Sequence, residues 1–234
     1  MNNLSYAFIF ARGGSKGLPR KNVKKLLDKP LIQYSIDLAL SIGIFKEVFV
    51  STEDPEISNI SKSLGATVID RPAKLAADNS PEWLSWRHAI TWVKKNRGDF
   101  DIFVSLPTTS PLRSKDDIIN ATQKLTDSSA DVCIAITPSS RSPYFNMVTK
   151  SQDCLNIVLN TENKISRRQD APQVFDVTTL VYAASPEFIL SEDGLFSGKV
   201  TSIEVPKDRA VDIDDIYDFL LAETILMSQA NEKP

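Results

Sequence analysis

The chain has 234 residues, 42% hydrophobic and 24% charged, with a formal charge of −3. That length supports one large domain with an ample core and excludes wholesale disorder, and the near balance of 27 basic and 30 acidic residues argues against a general nucleic-acid binder. Two cysteines and the single His88 are too few for a disulfide scaffold, a four-thiolate zinc site or a multi-histidine metal centre. No apolar run approaches the roughly 20 residues that span a bilayer, and Met1 to Ala11 has no basic leader; a soluble, cytoplasmic chain with no membrane partner is expected.

Short, nearly continuous apolar runs at Tyr6–Ala11, Val48–Val50, Ile102–Leu106 and Val132–Ile136 predict strands buried on both faces of a parallel sheet. Helical patterns lie between them. Leu31, Tyr34, Ser35, Leu38 and Ile42 share one face, with Gly43 as a stop; Trp83, Trp86, Ile90 and Val93 form a second, and Ile118, Ile119, Thr122 and Leu125 a third. Strand–helix–strand alternation through about residue 136 implies an α/β layer sandwich.

The pattern changes after Thr137. Residues 138–180 carry Pro138, Pro143 and Pro172 with short strand-like runs such as Leu155–Leu159, too little for an independent core. An inserted β-rich arm or lid is expected over residues 138–190, within a single domain spanning 1–234. Strand signals return at Leu180–Ala184 and Val200–Val205. A closing helix is expected to bury Ile213, Ile216, Tyr217, Leu220 and Leu221 on one face.

Three of the eight glycines, Gly13, Gly14 and Gly17, fall within five residues just after the first strand. From Arg12 to Lys29, seven basic residues face one acid, Asp28, a local charge of +6. Glycines let backbone N–H groups approach and converge on a ligand, and Lys and Arg neutralise a polyphosphate. The loop is neither a P-loop nor a Gly-x-Gly-x-x-Gly loop. A solvated basic turn is the plain alternative; the combination of strand, glycines and charge favours phosphate binding.

Near the end, Val211-Asp212-Ile213-Asp214-Asp215 brings two carboxylates to one side of an extended chain, where Asp212 and Asp214 can converge on Mg²⁺. Capping of the final helix explains the same acids equally well, with Asp215 the better cap. Pro107-Thr108-Thr109-Ser110-Pro111-Leu112-Arg113 follows a buried strand, either as a ligand loop or as a rigid turn in which Ser110 or Ser114 caps the next helix. Taken alone, Arg71 reads as a surface ion pair, Arg167-Arg168 as a solvated turn, and His88 and Cys133 as structural residues.

Together these segments carry a family pattern. Ala11-Arg12-Gly13-Gly14-Ser15-Lys16-Gly17-Leu18-Pro19-Arg20-Lys21-Asn22 resembles the N-terminal signature of the acylneuraminate cytidylyltransferases, which make CMP-sialic acid and related CMP-nonulosonates. Val50–Asp54, Arg71-Pro72, Thr109–Arg113, Arg168-Gln169 and Asp212–Asp214 resemble later family segments in the same order.

The resemblance implies a Rossmann-like nucleotidyltransferase sandwich with a mainly parallel sheet and a protruding β-rich dimerisation arm. It implies transfer of CMP from CTP to a 2-keto-3-deoxy sugar acid, with Mg²⁺, by a homodimer. Arg12, Lys16 and Lys21 would carry the catalytic charge. Ala11, Gly13, Gly14, Ser15, Asn22, Arg71 and Ser80 would complete the nucleotide site. Thr108, Thr109, Arg168 and Tyr182 would face the sugar, and Asp212 and Asp214 the metal. The sugar-side segments depart from the usual pattern: Pro107-Thr108 stands where sialic-acid-specific members read Gln-Pro, and Thr178-Thr179-Leu180-Val181-Tyr182 where they read Asn-Gly-Ala-Ile-Tyr. Two rivals remain at this level: a nucleotidyltransferase acting on another sugar or a sugar 1-phosphate, and a non-catalytic nucleotide-binding module. The acidic pair speaks against the module.

Overall fold

The computed structural model describes residues 3–159, 165 and 167–231. In chain order the strands are β1 (Ser5–Phe10), β2 (Lys25–Leu26), β3 (Lys29–Pro30), β4 (Phe45–Thr52), β5 (Thr67–Asp70), β6 (Ile102–Ser105), β7 (Val132–Pro138), β8 (Val148–Ser151), β9 (Cys154–Ile157), β10 (Phe175–Ala184) and β11 (Val200–Glu204). The helices are α1 (Leu31–Ile42), α2 (Pro55–Ser63), α3 (Glu82–Arg97), α4 (Lys115–Asp127), α5 (Pro186–Ser191) and α6 (Ile216–Asn231).

Seven strands form the central sheet in the order β11-β7-β10-β6-β1-β4-β5. Six run in one direction, and β10 runs against both of its neighbours, β6 and β7. The reason lies in the chain path: β10 returns from the inserted segment rather than from a crossover helix, so it can enter antiparallel. Helices α1, α2 and α4 cover one face, over Ile9, Val50, Val104 and Ala135; α3 and α5 cover the other, where Trp86 of α3 meets an aromatic layer of Phe8, Phe49 and Phe103. Strand residues buried on both faces account for the continuous apolar runs in the sequence.

Local signals act as expected at several ends. Gly43 closes α1 with φ 79°, a conformation that costs glycine nothing. Ser114, not Ser110, caps α4, in a reciprocal pair with Asp117. Two expectations are corrected. The final helix does not bury the face read from its spacing: Tyr217 is 77% exposed and Leu220 and Leu221 are each 50% exposed, while Phe219 and Ala222 pack inward beside Ile213, which precedes the helix. The inserted segment also ends before residue 190. The exposed β8–β9 hairpin stands apart, but β10 is a member of the main sheet, and Leu180 to Ala184 belong to the core.

Around β1 the sheet order reverses: the chain proceeds to β4 and β5 on one side and then to β6 on the other. The carboxyl ends of β1, β4, β5 and β6 therefore open onto one crevice, where α/β sheets place their ligands.

Candidate active site

The loop after β1 is stitched into the fold before any ligand arrives. A Cβ on Gly13 would lie 2.4 Å from Asp54 Oδ2, and one on Gly17 would lie 2.2 Å from the carbonyl oxygen of Asp214. These two glycines are required by close packing against the protein itself. Gly14 has open space around it and lines the cleft. Arg20 takes a left-handed conformation (φ 56°) and donates to Asp54 and Glu56. This holds the Asp54 carboxyl below the usual carboxylate range while its Oδ1 caps α2 through Glu56 N and Ile57 N.

A cleft of about 370 Å³ lies over the carboxyl ends of the strands. Of the residues expected at the nucleotide, Arg12, Gly14, Ser15, Lys21, Asn22, Arg71 and Ser80 line it. Thr108, Thr109, Tyr182, Asp212 and Asp214 line it as well. Ala11 sits behind it, fully buried, with its N–H donating to Ser51 O. Gly13 is not on the wall, and its N–H donates to Glu53 Oε1 at 2.7 Å. Lys16 also lies off the wall, its ammonium 2.9 Å from Asp78. Arg168 lies elsewhere: its Nη2 donates to Ser140 O, and with Arg141 it lines a separate groove of about 420 Å³ in the inserted segment.

Several side chains hold the loops in register. Asn22 donates to Arg12 O at 2.9 Å and accepts from Thr108 Oγ1 at 2.5 Å, tying the basic loop to the one after β6. Lys21 is only 12% exposed; its ammonium donates to Ile213 O and stands 3.6 Å from Asp214 Oδ1. Arg71 is buried and clamped on Ser51 O at 2.6 Å and on Ser51 Oγ at 3.2 Å, so it is no surface ion pair. Burial pulls its guanidinium below the ordinary arginine value. Arg113 is buried behind the wall and donates to Ser35 Oγ and Pro107 O; burial brings its guanidinium down to about 9, still charged at neutral pH.

The structure answers the capping half of the question over the acidic pair. Asp215 Oδ1 accepts from Tyr217 N and Asp218 N, and Asp218 Oδ2 accepts from Asp214 N and Asp215 N, so α6 is capped without the side chains of Asp212 and Asp214. Asp212 Oδ1 is buried with no hydrogen-bond partner, and an orphaned carboxylate oxygen beside a cleft calls for a cation or donor. Among the described residues no cluster of three or more metal-ligating side chains occurs. Two carboxylates leave most of the octahedron of a hard divalent cation to water and phosphate oxygens, and that donor set suits Mg²⁺.

Sequence reasoning missed Glu82 and Asp78 on the same wall, and it named Thr179 only within the sugar-side segment 178–182. Glu82 Oε1 accepts from Trp86 Nε1, and its carboxyl is raised above the usual range by the surrounding protein and by Asp212. Burial, with Glu82 and Asp212, pushes the Tyr182 phenol up to about 12. Asp78 is acidic and follows a run of alanines; Thr179 sits within an apolar strand. Nothing in its setting marked Asp78, and Thr179 was marked only by its segment's departure from the family pattern.

A mainly parallel sheet, a basic glycine loop after its first strand and two carboxylates across the cleft define a nucleotidyltransferase-type α/β protein. A cytidylyltransferase family model matches residues 6–217, and the chain belongs to that family. It is 32% identical over 220 residues to post-translational flagellin modification protein B of Campylobacter coli, covering 93% of each chain. It is 31% identical over 228 residues to CMP-N,N'-diacetyllegionaminic acid synthase of Campylobacter jejuni, covering 97% of this chain and 96% of the relative. Among solved structures, CMP:2-keto-3-deoxy-manno-octonic acid synthetase complexed with CTP superposes with a TM-score of 0.74 at 17% identity, covering 97% of this chain and 99% of the other. At that identity the likeness concerns the fold.

Proposed function

We propose that this cytidylyltransferase transfers CMP from CTP to the anomeric hydroxyl of a 2-keto-3-deoxy sugar acid of the nonulosonic class, releasing pyrophosphate. The observation that carries the reading is the convergence of Arg12, Lys21, Arg71, Asp212 and Asp214 on one cleft, in a chain whose relatives include a CMP-diacetyllegionaminic acid synthase. In the reaction the anomeric oxygen bonds to the α-phosphorus, the bond from that phosphorus to the bridging oxygen breaks with its electron pair leaving on pyrophosphate, and the hydroxyl proton passes to solvent water. Such a displacement rests on positioning and charge neutralisation more than on a covalent nucleophile.

Arg12 and Lys21 would hold the triphosphate and stabilise the leaving pyrophosphate, with Lys16 as an outer cation. The open backbone at Gly14 and Ser15 would admit the phosphates, with the Gly13 N–H released from Glu53. Arg71 and Ser80 would border the nucleoside, and the committed amide of Asn22 would set the loop rather than read the base. Asp212 and Asp214 would hold Mg²⁺, which when bound supplies charge to the α-phosphate and acidifies a bound hydroxyl. Thr108, Thr109 and Tyr182 would face the sugar. Exposed Met147, Val148, Leu155, Val158 and Leu159 in the inserted segment would meet a second copy, giving a homodimer of twice 26.0 kDa by light scattering and bringing Arg168 against a neighbouring subunit. No helix among the described residues is long and apolar enough to cross a membrane, and use of the CTP pool fits a cytoplasmic enzyme.

The test is pyrophosphate release with CTP, UTP, GTP or dTTP against sialic, legionaminic, pseudaminic and Kdo-type acids. Release with CTP and a nonulosonic acid is expected. Preference for another nucleotide, or turnover only with a sugar 1-phosphate, overturns the reading.

A further inference from the structure

The strand β10 breaks its pairing with β7 at one place. Thr178 lies opposite Ala135 and Tyr182 opposite Ile134, so residues 179–181 have no cross-strand partners in that ladder. An irregularity of this kind re-aims side chains, and it sits where β10 passes the carboxyl end of β6. Thr179 consequently lines the cleft. Its Oγ1 lies 3.2 Å from Thr109 Oγ1 and 2.9 Å from Ser110 Oγ. Ser110 is buried at 1% exposure, while Thr109 is on the cleft wall.

Three hydroxyls joined by two links hold one proton more than the links consume. If the chain of donors runs from Ser110 through Thr179 to Thr109, the Thr109 hydroxyl has a proton to give to the cleft. If it runs the other way, Thr109 offers only lone pairs. The relay thus presents either a donor or an acceptor and carries no charge. The cations on the wall come from the loops after β1 and β5, which lie two and four strands away from β10. Beside the relay the wall has neutral Pro107, Thr108 and Tyr182. Asp212 and Asp214 flank Ile213, whose N–H donates to Thr109 O while Lys21 is held on its carbonyl, so the charge next to Thr109 is net negative.

We infer that Thr179 is a specificity-determining residue: with Thr109 and Ser110 it reads an uncharged polar substituent of the acceptor, a hydroxyl or an acylamino group, and not the acceptor's carboxylate. The inference rests on the CMP-transfer reading above. A relay built for hydrogen bonding discriminates because an acceptor lacking the matching group leaves the cleft-facing Thr109 hydroxyl without its partner in a site closed to water by the bound acceptor.

The experiment compares Thr179→Val, which keeps the shape and removes the hydroxyl, with Thr179→Ser, which keeps the hydroxyl. For each, kcat/KM is measured for every sugar acid in the panel at saturating CTP, together with KM for CTP and the melting temperature. Thr179→Val is expected to lower kcat/KM for the preferred acid about 5- to 50-fold and to flatten the ranking of acids, with KM for CTP unchanged. Thr179→Ser should stay close to the wild type. An unaltered ranking in Thr179→Val, a parallel rise in KM for CTP, or equal loss in both variants overturns the inference. A wild-type protein that turns over none of the acids overturns the functional reading, and the inference with it.

Discussion

At the β1–β5 side of the cleft, Arg12 and Lys16 share Asp78, Arg20 is held by Asp54 and Glu56, and the Gly13 N–H by Glu53. At the β6–β10 side, the hydroxyls of Thr109, Ser110 and Thr179 bond to one another and, among the described residues, make no ion pair. The first side holds its cations against resident carboxylates, so an incoming triphosphate exchanges one set of anions for another. The second side offers neutral groups whose bonds depend on shape and direction. Affinity on the charged side should fall with salt, whereas selectivity on the neutral side should not.

The sharpest break in the comparison is expected at the acidic pair, which lies between the two sides. Changing Asp212 or Asp214 to Asn should lower kcat at least about 100-fold while leaving the melting temperature nearly intact, because neither side chain caps α6 and an amide is a poor ligand for a hard cation. Asp215→Asn should be mild in both respects, since Asn and Asp cap comparably. Turnover against Mg²⁺ concentration, with melting curves for all three, is the measurement. Wild-type metal dependence in both Asp212→Asn and Asp214→Asn would place any cation elsewhere.

Next come the cations. Lys21→Ala and Arg12→Ala should each reduce kcat/KM about 10- to 150-fold, the loss of one charge-assisted contact. Their melting temperatures should differ. Lys21 is nearly buried and ties two loops, so its loss should also lower stability, whereas Arg12 pairs only with half-exposed Asp78 and Ala76 O. Equal melting temperatures in the two variants would refute the structural share assigned to Lys21.

A smaller effect of opposite sign is expected from Asp78→Asn. Removing the shared carboxylate frees Arg12 and Lys16, so CTP should bind about 2- to 5-fold tighter at low salt, with the gain shrinking as salt is added. Calorimetric titration of CTP reads this directly, and weaker binding would mean that Asp78 orients the cations rather than competing for them.

The smallest effect concerns acid. The folded-state value of Asp54 is depressed by Arg20, so its contribution to stability is present above the ordinary carboxylate range and is lost as pH falls through the folded value. Asp54→Asn, which keeps the cap, should therefore flatten part of the decline in melting temperature below about pH 4. An unchanged acid limb would show that the pair contributes nothing measurable.

The buried strands were legible because a parallel sheet covered on both faces requires unbroken apolar runs. The basic loop was legible because seven cations crowd eighteen residues. The final helix misled because α6 is apolar around much of its circumference, and spacing alone did not separate Tyr217 and Leu220 from Phe219. The glycine run was legible as a feature but not in its cause: Gly13 and Gly17 are small because Asp54 and the Asp214 peptide press on them. Thr179 was legible as part of a sugar-side segment, but its bonds to Thr109 and Ser110 were not, because they depend on a broken register that only the paired strand reveals.

The bond from Lys21 to the carbonyl of Ile213 spans 192 positions of sequence. Ile213 N also donates to Thr109 O at 2.8 Å, so three segments remote in sequence meet at one point. Part of the scaffold forms from nearer neighbours: β1 pairs with β4 and β4 with β5 across single helices, whereas β6 reaches back to β1 and β10 reaches back to β6 over longer spans. Closing a loop of nearly the whole chain costs only modestly more entropy, because the cost grows with the logarithm of length, but contacts this remote in sequence slow whatever waits on them. The candidate site is therefore expected to be completed late, and a refolding protein should regain its helical signal before it regains the ability to bind nucleotide.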